Sequence, residues 1–126
     1  MDVATGVVTK RKSMIYARSS HGICYNKGKV YCAGGFLHFT NKEHKELSMD
    51  QKMRLRKSVE VYNIKKNTWT LGPSLNLSKT SMTLIVLEQK YIYQFGSHNS
   101  ERFGYDGDFD IGRVYGSNYI ERMDTT

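Results

Sequence analysis

Seven residues in the C-terminal half carry the pattern that most invites chemistry. Asp106-Gly107-Asp108-Phe109-Asp110-Ile111-Gly112 sets three carboxylates at alternate positions, as in the oxygen-rich loops that surround calcium. The spacing then departs from such a loop: Gly112 comes one place late, and Ser117 stands where a bidentate carboxylate would close the cage. An acidic, glycine-rich loop is the expectation; calcium stays an open question, and no metal or other cofactor is assigned. The four histidines, His21, His38, His44 and His98, are dispersed, with no pair at the spacing that puts two ligands on one helical face. Cys24 and Cys32 form no C-x-x-C motif, and free thiols in a reducing compartment are preferred over a disulfide within one hairpin. No phosphate-cradling glycine motif is present, and no catalytic residue is assigned.

Charge is the second candidate for chemistry. The formal net charge is +7, which admits a nucleic-acid or anionic-membrane partner. Glu43, Glu46, Asp50 and Glu60 are interleaved with the cations, however, and only Lys52, Arg54, Arg56 and Lys57 are concentrated. A solvated basic loop accounts for that group, with nucleic-acid binding as the alternative.

These residues must be positioned by a single domain of 126 residues. Nine Tyr and eleven Gly against one Pro suit strands joined by glycine turns better than a helical bundle. No apolar run approaches the roughly 20 residues that cross a bilayer, and residues 1–6 lack the layout of a signal peptide. A soluble cytoplasmic chain is expected, with no membrane partner.

Self-similarity organises the chain. At an offset of about 61 residues, 1–9 falls over 62–70, Ser13-Met14 over Ser74-Leu75, and 17–20 over 78–81. One residue of slip later, 30–35 meets 92–97; finally 59–63 meets 120–124. Each unit reads as four strands. In the first, strand a is 21–25, Asn26-Lys27-Gly28 is a tight turn, strand b is 29–33, strand c is 58–62 and strand d is 68–71. In the second, Met-Thr-Leu-Ile-Val-Leu at 82–87 is apolar on both faces, which predicts a strand buried on both sides, and 91–95 is strand b.

The Gly34-Gly35 pair closing a strand, with Tyr62 further on and Trp69 after it, resembles a Kelch repeat, one blade of a β-propeller. The resemblance implies an all-β fold of antiparallel four-stranded blades, here an incomplete propeller. Residues 1–16 would be the outer strand and exit connection of a preceding blade. Residues 17–76 would be a complete blade with a long b–c loop at 36–57. Residues 77–126 would be a second blade lacking its last strand, with a b–c loop at 97–117. Gly34, Gly35, Tyr62, Trp69 and Gly96 read as scaffold, Trp69 packing between blades beside Tyr62. Ser48-Met49-Asp50-Gln51 is a candidate capping box leading into a short basic helix.

Kelch units often carry an Arg in the d–a connection, and Arg18 is in that place, with Lys79 as its counterpart. The expected function is a non-catalytic protein-interaction module, a scaffold without enzyme activity. Its protein partner would sit on the face carrying the long loops, contacted by Arg18, Lys79, Arg54 and Arg56. Two other readings accompany it: a fragment of a propeller enzyme, and nucleic-acid binding through the basic loop. Two units are too few to close a ring, so a piece of a longer protein is the expectation, with head-to-tail self-association, the first strand of one copy completing the open blade of the next, as the alternative.

Overall fold

The computed structural model describes residues 1–39, 46–96, 98–99, 115–116 and 120–126. Twelve strands and one helix are defined among them: β1 (Ala17–Ser19), β2 (Gly22–Asn26), β3 (Lys29–Ala33), β4 (Phe36–His38), α1 (Met49–Leu55), β5 (Val59–Asn63), β6 (Thr68–Leu71), β7 (Lys79–Thr80), β8 (Thr83–Leu87), β9 (Tyr91–Phe95), β10 (His98–Asn99), β11 (Tyr115–Gly116) and β12 (Ile120–Asp124). All pairing is antiparallel. The fold is all-β, built of antiparallel sheets.

The first large sheet has the order β2-β3-β5-β6 and the second β12-β9-β8. Tight turns make these ladders possible. Apart from Gly34 and Gly35, the described residues with left-handed φ fall in pairs 61 apart: Gly6 (71°) with Asn67 (53°), Ser20 (54°) with Ser81 (53°), Lys27 (48°) with Glu88 (56°), and Gly28 (77°) with Gln89 (53°). The repeat is therefore a repeat of backbone conformation, kept even where glycine gives way to a residue for which that φ is uncommon.

The two sheets face each other across one core. Tyr31, Ala33 and Val59 of the first sheet meet Leu75, Met82 and Ile92, with Leu84, Val86 and Met123 packed beside them. The approach is close: a Cβ added to Gly22 would lie 2.7 Å from Met82 Cγ and 2.8 Å from Leu84 Cγ. Backbone bonds also cross, with Ser81 N–H donating to Ser20 O and Gly35 N–H to Lys79 O.

One expectation meets a different outcome. β8 is half-buried on one face and exposed on the other, not buried on both, because Ile85 and Leu87 point away from the first sheet and no described residue covers them. Among the described residues, no strand pairs with the segment expected as an outer strand at 1–16. Its beginning is a turn: Gly6 N–H donates to Asp2 O and Asp2 N–H to Val7 O, while Asp2 Oδ1 accepts from Thr5 N–H. The same place in the next unit repeats it, Asn63 Oδ1 accepting from Lys66 N–H.

Candidate functional site

The loop-bearing end of the blades is built from short strands outside the two large sheets. β1 pairs with β4 in the register Arg18↔Leu37, so the connection entering the first blade lies beside the segment leaving β3. The next unit does the same with β7 and β10, in the register Lys79↔Asn99, and β11 adds a third strand. The d–a and b–c connections thus share one end of each blade.

α1 rises from the b–c insertion. Ser48 Oγ accepts from Gln51 N–H at 3.2 Å while Gln51 Oε1 accepts from Ser48 N–H at 2.8 Å, a reciprocal cap. Asp50 in the first turn and Lys52 and Arg54 in the last oppose the helix dipole favourably. None of the helix residues is buried. The loop is tied back elsewhere: Leu37 and Phe39 are buried, Tyr16 meets the Phe39 ring edge-on at 6.4 Å, and Lys52 Nζ lies 5.5 Å from that ring.

Beneath this end sits a buried ionic cluster. Arg18 and Glu60 have no exposed side-chain surface, and Arg18 Nε donates to Glu60 Oε2 at 2.8 Å. The rest of the guanidinium donates to Gly34 O, Ser58 O and Ser58 Oγ. Glu60 also accepts from the backbone N–H of Ile15 at 2.6 Å and of Tyr16 at 3.2 Å. Both ions are therefore paired and hydrogen-bonded, which burial of charge demands. The cluster recurs at an offset of 61. Glu121 accepts from Asn76 N–H at 2.6 Å and Leu77 N–H at 3.2 Å, and its Oε2 lies 3.5 Å from Lys79 Nζ. Lys79 also donates to Gln94 Oε1. Burial lowers the pKa of Lys79, and the neighbouring Glu121 carboxylate works against that shift.

The proposed partner-contacting residues divide accordingly. Arg54 is exposed on α1. Arg18 and Lys79, expected on the partner-facing rim, lie inside the molecule with their charges engaged, because each is the cation that neutralises a strand-c carboxylate, the buried Glu60 or the partly buried Glu121. Arg56 is buried too, at the end of α1, where its N–H bonds Lys52 O and its guanidinium reaches Met53 Sδ at 3.9 Å. No motif singles out Glu60 or Glu121. Their signal was present: a carboxylate at the same place in two apolar strands 61 apart.

The scaffold glycines and aromatics have definite surroundings. Gly34 and Gly35 both hold left-handed φ, and a Cβ on Gly35 would lie 2.5 Å from Ser19 O and 2.8 Å from His21 Cα. Gly96 follows β9 directly. Trp69 is half-buried, its ring 4.9 Å from that of Tyr62, and its indole N–H donates to Lys12 O at 2.8 Å. Tyr62 O–H donates to Asn67 Oδ1 and accepts from Arg11 Nε.

Cys24 and Cys32 are free, and burial pushes both thiols up to about 11. They sit on opposite faces of the first sheet, Cys24 opposite Tyr31 and Cys32 opposite Ile23. Burial and the Arg18 charge together lower the pKa of His21, whose Nδ1 is buried without a hydrogen-bond partner among the described residues. The candidate calcium loop at 106–112 lies outside the described residues; among those described, no three potential ligands cluster. No helix among them is long and apolar enough to cross a membrane.

Residues 17–76 match the family model for the Kelch motif. A solved structure titled "Structure of YjhT" is similar over 69% of this chain at 19% identity and a TM-score of 0.49. The match spans 23% of that longer chain. No curated protein matches.

Proposed function

We propose, on the footing that residues 17–76 are a Kelch repeat within an all-β blade structure, that this chain is a non-catalytic protein-binding module. Kelch repeats generally bind protein partners. The partner here would sit on the end of the blades where the b–c and d–a connections run together.

The observation that carries this reading is α1. A seven-residue helix with a complete capping box stands in a b–c insertion, and none of its residues is buried. The blade's own ladder does not require it. Lys52, Arg54 and Lys57 give it a positive surface, and Met49, exposed at its start, gives an apolar contact beside the charge. An acidic segment with an adjoining apolar side chain is the partner chemistry that fits. Arg18 and Lys79 take a supporting part: they hold the connections that form the platform and leave recognition to the exposed Arg54.

A photo-crosslinker at position 54 tests this against one at position 64, at the opposite end of the blade in the β5–β6 turn. In cells, position 54 should capture a discrete protein partner that Met49→Glu abolishes, while position 64 captures none. Equal labelling at both positions, or crosslinks that are nucleic acid at position 54, would reject the reading.

A further inference from the structure

We propose that the turn end of the first sheet, opposite the partner-binding end, is a docking surface for an anionic phospholipid bilayer. In the sequence its cations are dispersed, at positions 11, 27, 29, 65 and 66. The fold gathers them. Lys27 lies in the β2–β3 turn, Lys29 opens β3, and Lys65 and Lys66 lie in the β5–β6 turn. The two turns are joined by Ile64 N–H, which donates to Gly28 O at 3.1 Å, and Lys29 stands opposite Asn63 in the ladder. Arg11 reaches the same place from another part of the chain, its guanidinium donating to Ile64 O at 3.0 Å. All five cations are exposed, and neither turn carries a carboxylate. The neighbouring turn of the second sheet differs: it holds Glu88, and its Lys90 lies 3.8 Å from Asp124. The positive field therefore belongs to the first sheet.

This surface does not depend on what covers the sheet faces. The second sheet already packs on one face of the first, through Tyr31, Ala33 and Val59. The turn tips project beyond that contact and stay exposed.

Ile64 selects the class of occupant. It stands in the β5–β6 turn beside Lys65 and Lys66 and is 42% exposed. An apolar side chain amid lysines matches the boundary of headgroups and acyl chains, where the charges meet phosphate and the aliphatic group enters hydrocarbon. Entry is costly for any backbone polar group that loses water without a partner. Ile64 avoids that cost, since its N–H bonds Gly28 O and its carbonyl accepts from Arg11. The turn is also fixed in place: Asn63 Oδ1 accepts from Lys66 N–H at 2.9 Å, and Tyr62 O–H donates to Asn67 Oδ1 at 2.6 Å. A nucleic acid would make less of this surface. An aliphatic tip offers bases no stacking platform, and the one guanidinium is committed to Tyr62 and to Ile64 O. The other cations are lysines, point charges suited to a diffuse array of phosphates. The lack of a long apolar run in the sequence argues only against crossing a bilayer. The contact is peripheral, and it leaves the loop-bearing end free.

Flotation of the 126-residue chain with lipid vesicles tests this. Vesicles of phosphatidylserine and phosphatidylcholine in equal parts should carry the chain. Those of phosphatidylcholine alone should not, and added salt should weaken the binding steeply. Lys65→Glu should lower the affinity by about fivefold or more, since one lysine near an anionic surface is worth about that factor. Arg54→Glu makes the same change in net charge at the other end and should lower it less than about twofold. Ile64→Ser leaves the charge untouched and should still lower it about threefold or more, through lost burial of the aliphatic group. All three side chains are exposed, so circular dichroism should be unchanged. Equal losses for Lys65→Glu and Arg54→Glu would reduce the effect to net charge and overturn the proposal. So would a chain that stays unbound on acidic vesicles at low salt, or an Ile64→Ser variant that binds as well as wild type. Single-stranded RNA that binds this end more tightly than the vesicles do would overturn it too. None of these outcomes bears on protein capture at position 54.

Discussion

Arg18 and Lys79 answer the same requirement with different chemistry. Each neutralises a carboxylate that caps the backbone of the preceding connection, but Arg18 distributes four hydrogen bonds over Glu60, Gly34 and Ser58. A lysine at position 18 would be a point charge where a planar fork is needed. Arg18→Lys should lower stability by about 1–3 kcal/mol, from the loss of hydrogen bonds to buried acceptors. Glu60→Gln should cost more, about 3–5 kcal/mol, because it leaves the buried guanidinium without its counter-charge. Urea unfolding followed by Trp69 fluorescence measures both, and a Glu60→Gln variant as stable as wild type would mean that the ion pair is not buried as described. His21 supplies a pH dependence. Its folded pKa is depressed by burial and by Arg18, so the folded state binds fewer protons than the unfolded state between that value and about 6.5. Stability should therefore fall as pH drops through about 6.5 and level off below the folded pKa. His21→Asn should flatten that slope in unfolding midpoints measured between pH 7.5 and 5.5.

At the scale of elements, legibility followed the source of each element's stability. β3, β6 and β9 lie where alternating β-branched and aromatic residues place them, and β2 and β5 are within a residue of their expected bounds. α1 was legible from a four-residue cap, whose signal is local. The pairing of β1 with β4 and of β7 with β10 was not, since strands of two or three residues carry no periodicity and are selected by the neighbouring chain. The faces of β8 were misjudged for a related reason: a run of Leu-Ile-Val-Leu states that both sides are apolar, but not whether anything within the chain covers them. The buried places of Arg18 and Lys79 were also hidden, because each cation's burial depends on a carboxylate more than 40 residues away, as between Arg18 and Glu60. The glycine pair gives this scale its sharpest test. Gly35 combines a left-handed φ of 81° with backbone atoms within 3 Å of any Cβ. Gly35→Ala should destabilise by at least about 2 kcal/mol, since strain and overlap with Ser19 and His21 add. Gly28→Ala, with a similar φ but open space around its Cβ, should cost only about 1 kcal/mol. Equal losses at the two sites would show that close approach plays no part at Gly35.

The molecule as a whole has its largest shared core between the sheets and not within either. Tyr31 and Val59 come from one sheet and Ile92 from the other, with Leu75 and Met82 from the connection between them, so neither sheet buries its inner face alone. Repeat architectures of this kind owe much of their stability to contacts between neighbouring units, which couples the folding of adjacent units. The 126-residue chain should then unfold in one transition although it carries two large sheets. Ile92→Ala tests the coupling, because the substitution lies in β9 while the single tryptophan lies in β6 of the other sheet. Removing this side chain, 2% exposed, should cost about 2–5 kcal/mol. Trp69 fluorescence and far-ultraviolet circular dichroism should report the same shifted midpoint. If the tryptophan signal kept its wild-type midpoint while circular dichroism moved, the sheets would be folding independently, and the core between them would not couple the two units.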